Sequence, residues 1–129
     1  MKEIVKEWFE FAKSNLKNAG ILFENKSYRD CIWYCHQAIE KLLKAIITGK
    51  NQKVRKIHDL VGLLEETDFA SNKFISKFLE ELNPYYIPTR YPEATFKLKV
   101  IYSKRETQRI FKTTQEVFKW LRTGLNHNA

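Results

Sequence analysis

Glycine, proline and cysteine are scarce in this chain, and long apolar runs are missing altogether. Four Gly and three Pro among 129 residues leave too few turn formers for a β architecture built on tight connections. The two cysteines, Cys31 and Cys35, sit four apart in a helical pattern. That spacing puts both thiols on one helix face, unsuited to a useful disulfide and without the second ligand pair that structural zinc requires. They are expected to be buried free thiols. No stretch approaches the roughly 20 apolar residues that span a bilayer. The opening MKEIVKEWFEF carries charges where a secretory leader has its apolar stretch. The expectation is a cytoplasmic protein with no membrane contact, no metal and no cofactor. No repeat or low-complexity tract is visible.

What is present favours helix. Hydrophobic residues make up 43% and aromatics 14% of the chain, enough for one domain over residues 1–129 with a core of its own. From Lys2 to Glu24 apolar residues recur at Val5, Trp8/Phe9, Ala12, Leu16, Ala19 and Phe23, a helical stripe. A second helix is expected from Tyr28 to Thr48, with Ser27 or Asp30 as cap and Gly49 as stop. The three-residue polar connection Asn25-Lys26-Ser27 then makes the two an antiparallel hairpin. A short apolar segment, Leu60–Leu64, follows a basic loop. A third long helix is expected over Ser71–Leu82 and a last one over Lys104–Thr123. Pro84, Pro88 and Pro92 argue for an aromatic-rich loop over Pro84–Ser103. Its Tyr85, Tyr86, Tyr91, Phe96 and Tyr102 should pack it down. The expected fold class is all-α: an antiparallel up-and-down bundle of four main helices plus a short fifth.

The net charge of +8 is unevenly spread. Residues 59–81 hold six acids against two lysines, residues 50–56 hold four bases and no acid, and residues 90–129 hold nine bases against three acids. Such a distribution gives a basic side suited to phosphate-bearing ligands or an acidic partner, or else a solvated surface that serves solubility. Within the second helix a polar-aromatic line, Trp33, His36/Gln37, Glu40 and Lys44, runs beside the apolar stripe. It could face a ligand, a partner helix or solvent, and Glu40 with Lys44 is also an ordinary helix-supporting pair.

The run His36-Gln37-Ala38-Ile39-Glu40-Lys41-Leu42-Leu43-Lys44-Ala45 resembles the second-helix signature of HEPN domains (higher eukaryotes and prokaryotes nucleotide-binding). Ile57-His58-Asp59-Leu60 resembles the family's His-Asp-Leu element, and Arg90-Tyr91-Pro92 the Arg-Tyr-Pro before the last helix. Three elements in order cover nearly the whole chain. The resemblance implies a small stand-alone helical bundle that forms a homodimer, binds nucleotide or RNA phosphate, and partners a separate minimal nucleotidyltransferase, as in toxin–antitoxin pairs. It also implies that His36, Glu40, Lys44, Arg90 and Tyr91 converge in the folded bundle.

Some HEPN proteins cleave RNA without metal, using an Arg and a His with four to six residues between them. Two pairs here have that spacing: Arg122 with His127, and Arg29 with His36. The chemistry needs an imidazole to move a proton and a guanidinium to stabilise charge on phosphate. His58, beside Asp59, is expected to fix its loop by hydrogen bonding. Arg90, held between aromatics and Pro92, is a fork suited to phosphate or carboxylate, with a pair to Glu40 as the competing state. The expected ligand-binding set is therefore Arg90, Tyr91, His36, Glu40, Lys44 and His58. A non-catalytic binding module is the leading expectation. A metal-independent endoribonuclease and a structural dimeric adaptor are the alternatives.

Overall fold

The computed structural model describes residues 2–94 and 102–128, without the side chains of 126–128. Among them there is no strand. Helix α1 spans Glu3–Glu24 and α2 spans Tyr28–Gly49. Helices α3 (Leu60–Leu64), α4 (Lys73–Leu82) and α5 (Tyr86–Arg90) follow, with a 3-10 turn over Asn83–Tyr85 between the last two. The chain closes with α6 (Lys104–Arg122) and a 3-10 tail, Thr123–Asn128.

Helix α2 is the axis of the bundle. Fourteen of its 22 residues are buried, against four in α1. Six of these, Ile32, Ile39, Leu42, Leu43, Ile46 and Ile47, are at most 1% exposed, and each contributes about 2 kcal/mol by leaving water. Helix α1 lies antiparallel along α2. Phe23 meets Tyr28 near the connection, with ring centroids 5.8 Å apart. At the far end Trp8 lies under the ammonium groups of Lys41 and Lys44. Helix α6 closes the core with Ile110, Val117, Phe118 and Leu121, and the tail docks Gly124 against Phe69 and Ile46. A Cβ at Gly124 would stand 2.9 Å from the Phe69 ring, so only glycine fits without movement.

Of helices α1–α6, three start on a side-chain cap: α3, α4 and α6. Asn72 accepts from the Ile75 amide at 3.0 Å, and Ser103 accepts from the Glu106 amide at 3.1 Å. Ser103 with Glu106 three residues on is a capping-box pair that starts α6 at Lys104. Ser27 stands at the head of α2, but its hydroxyl accepts no capping bond.

Three expectations about boundaries need correction. The third long helix starts at Lys73, because Asn72 rather than Ser71 caps it. Helix α2 runs through Gly49 and is stopped by Asn51, which takes the left-handed conformation (φ 61°) while Gln52 donates back to Ile47. Residues 83–90 and 92–94 are helical instead of looped. Pro84 and Pro88 each fall in the first turn of a segment, where the missing N–H has no helical partner to lose. Phe96 lies outside the described residues. Cys31 and Cys35 are buried and free, and burial pushes the Cys35 thiol well up, so it is no nucleophile.

Candidate functional site

The polar line on α2 does not face solvent. His36 and Glu40 are fully buried, and Lys44 is 5% exposed. Successive members are four residues apart, so the helix stacks them one turn above another on one face. Their cover comes from elsewhere in the chain. Asp59 caps α3 by accepting from the Val61 and Gly62 amides, and the Asn83 amide donates to the same oxygen at 2.9 Å. Asn83 in turn accepts from the Leu60 amide. This clamp fixes α3 to the start of the 83–90 segment and delivers His58 and Tyr86 onto α2.

Glu40 is the hub. Lys44 Nζ donates to its Oε2 at 3.0 Å, and His58 Nδ1 lies 3.1 Å from Oε1 and 3.3 Å from Oε2. An interior carboxylate demands such partners, since leaving it alone would cost several kcal/mol. His36 has a different lot. Its Nδ1 is 3.7 Å from Glu40 Oε1, and neither ring nitrogen has a hydrogen-bond partner among the described residues. Burial pushes its imidazole down to about 4, against the pull of the Glu40 carboxylate. It is a neutral, packed ring at ordinary pH.

Tyr86 bridges this interior to the surface. Its ring stacks on His58 at 4.5 Å and tilts against His36 at 5.0 Å. Its hydroxyl accepts from Arg90 Nη1 at 2.6 Å. The Arg90 guanidinium also lies within 6.0 Å of the rings of Trp33, Tyr86 and Tyr91. Arg90 is exposed and makes no ion pair among the described residues.

The fold thus brings all six residues of the expected ligand-binding set into one cluster. The expected exchange between an Arg90–Glu40 pair and a free Arg90 needs correction. Glu40 is held by Lys44 and His58, and Arg90 by a tyrosine hydroxyl and three rings. The basic loop is partly neutralised as well: Lys50 pairs with Asp68 at 2.6 Å and Arg55 with Glu66 at 3.0 Å. Of the two Arg/His pairs, Arg29 is exposed and bonded to Asp30 while His36 is sealed inside, so that pair cannot act together on a substrate. Arg122 lies over the Phe9 ring at 5.0 Å, and the His127 side chain is outside the described residues. Sequence reasoning counted Tyr86 only among the packing aromatics of its segment and left it out of the site, where it joins the two halves; its signal was its place four residues before Arg90. No group of three or more His, Cys, Asp or Glu among the described residues is arranged to hold a metal.

The profile of the HEPN domain matches residues 5–124. The chain belongs to the HEPN domain family. Two solved structures share its all-helical fold. TT1696 from Thermus thermophilus superposes with a TM-score of 0.84 at 24% identity, covering 96% of this chain and all of that one. ST0689, an archaeal HEPN homologue, gives 0.77 at 21% identity, covering 97% of this chain and 99% of that one. This HEPN protein is also 39% identical over 56 residues to "Putative toxin MJ0605" of Methanocaldococcus jannaschii, a match covering 43% of this chain and 42% of that relative. No helix among the described residues is long and apolar enough to cross a membrane.

Proposed function

We propose that this HEPN protein is a phosphate-recognising helical module, not catalytic by itself, that binds a nucleotide or RNA at Arg90. It would act as a homodimer together with a separate minimal nucleotidyltransferase. The observation that carries the binding reading is the state of Arg90: exposed, oriented by Tyr86 and three aromatic rings, and without an ion pair among the described residues. A guanidinium held this way loses little freedom on gripping a phosphate, and the half-exposed Tyr91 beside it offers a face for a base. Ile4 and Phe11, each 54% exposed and seven apart on α1, supply an apolar strip for a second copy.

The test is binding of a labelled nucleotide triphosphate and of a short RNA across a salt series. Arg90→Ala should weaken binding about tenfold and flatten its dependence on salt, as loss of a phosphate contact requires. Lys77→Ala, on the exposed side of α4, should change nothing. Equal losses from both would remove Arg90 from the site.

Cleavage of RNA is the second reading, and one contact favours it. The buried Glu40 carboxylate holds His58 by Nδ1, which leaves Nε2 of a half-exposed imidazole for a substrate proton, with Arg90 one tyrosine away. The name of the archaeal relative agrees with a toxin role. RNA cleavage in excess EDTA that His58→Ala abolishes and His127→Ala spares would establish it.

A further inference from the structure

Away from the Arg90 cluster, α1 and α6 enclose an open groove of about 520 Å³. On α1, Lys13 and Lys17 stand about 140° and 180° around the helix from Trp8, so the groove and the ligand cluster use opposite sides of that helix. The floor is apolar: Leu16 from one helix, Phe111 and Phe118 from the other. Gly20 lets the two helices approach there, since a Cβ on it would lie 3.2 Å from the tip of the Phe111 ring. The rim is of one sign. Lys13, Lys17, Lys119 and Arg122 line it, and no acidic side chain does among the described residues. Lys13 reaches Glu10 at 3.0 Å, but both groups are well exposed, and a pair of that kind exchanges readily for another.

This combination discriminates between occupants. A second copy across a two-fold axis would set the four cations against themselves. The chain's own acidic stretch is no better candidate, because α4 spends its apolar face, Ile75, Phe78, Leu79 and Leu82, on the core. Head-to-tail docking of that kind would also grow without closure. A nucleic acid strand would find the cations but few ring faces, since Phe118 is 5% exposed and Phe111 is stacked on Phe23, and single strands depend on open faces for stacking. An apolar trough between two charged helical edges is the shape that takes a helix.

We propose that the groove is the docking site for an acidic amphipathic helix of a partner protein. Its apolar residues at i, i+3/i+4 and i+7 fill the floor over Leu16, Phe111 and Phe118. Its carboxylates pair with Lys17, Lys119 and Arg122 on the rim. This assignment is independent of what Arg90 binds.

The experiment titrates the full chain with a synthetic helical peptide of about 14 residues, roughly 21 Å long, with Leu on one face and Glu on the flanks. Backbone amide shifts are followed by NMR. The expected result is saturable binding with shifts confined to residues 13–20 and 111–122. The peptide with Lys in place of Glu should not bind. Lys17→Glu combined with Lys119→Glu should weaken binding about tenfold or more, because attraction becomes repulsion at two rim positions. Gln115→Trp, which fills the exposed groove without changing its charge, should do the same. Binding of both peptides alike would overturn the proposal. So would shifts outside the groove, or none at millimolar peptide. Shifts in the groove from oligouridylate and not from the acidic peptide would assign it to RNA instead.

Discussion

Two regions of this molecule carry charge in opposite ways. Around Glu40 the charges are buried and matched, one carboxylate with one ammonium at 3.0 Å, and the half-exposed His58 ring covers them from the surface side at 3.1 Å. In the α1–α6 groove they are exposed and of a single sign. Water explains the difference. A buried charge has lost its hydration and must recover it from protein partners, whereas a surface lysine keeps its own. The interior set is therefore constrained by the fold, and the groove set is free to be shaped by a partner.

The sharpest way to break this comparison is to unbalance the interior. Glu40→Ala should destabilise by about 3–5 kcal/mol, since Lys44 is left as a buried cation with no counter-charge. Converting both members, Glu40→Leu with Lys44→Met, should recover most of that loss. Urea unfolding of the two single variants and the pair checks this. Additive losses would show that Glu40 and Lys44 do not work as a unit.

The next effect is set by pH. His36 has its folded value lowered to about 4 from an ordinary 6.5, so the unfolded chain takes up a proton that the folded chain refuses. Stability from this group is complete above about pH 6.5 and falls as the pH drops toward 4, by roughly 3 kcal/mol in all. His36→Leu should match the parent near pH 7, as the ring makes no hydrogen bond among the described residues, and should outlast it near pH 4.5. Thermal melts at the two pH values measure the crossing. Parallel curves would mean that His36 is not the acid-sensitive group.

The smallest effect belongs to the groove. Lys17→Glu with Lys119→Glu should move stability by only about 0.5 kcal/mol, within the usual range for exposed sites. The groove then owes its charge pattern to something other than folding. A loss of several kcal/mol would make the rim part of the scaffold.

How much of this was legible in the sequence depended on distance along the chain. The helices α1 and α2 and their hairpin follow from local periodicity and a three-residue connection, and their ends fell within a residue or two. The line His36, Glu40, Lys44 was visible, but its burial was not. What covers it, His58 and Tyr86, arrives through the Asp59–Asn83 clamp, and side chains 24 positions apart leave no periodic trace. The three prolines suggested a loop because proline opposes helix interiors, yet the rule relaxes in a first turn, where Pro84 and Pro88 fall. The groove was half written. Lys13, Leu16, Lys17 and Gly20 alternate charge with small or apolar residues at helical spacing, and Phe111, Gln115, Phe118 and Lys119 set apolar beside polar residues at a similar spacing. Nothing in either pattern says that they face each other.

The short link between α1 and α2 also sets an order in time. Closing a three-residue connection costs little chain entropy, whereas α6 must find α2 across residues 50–103. The hairpin can form while α6 is still undocked, so the face of α2 that α6 covers is exposed for longest. Ala12, fully buried at the hairpin seam, and Ile110, at the α6 seam, report the two stages. Ala12→Gly should chiefly slow folding, and Ile110→Val should chiefly hasten unfolding, as chevron kinetics would resolve. In the cell the second stage is the exposed one. Until α6 docks, the most deeply buried helix of the folded chain stands open to aggregation along one side.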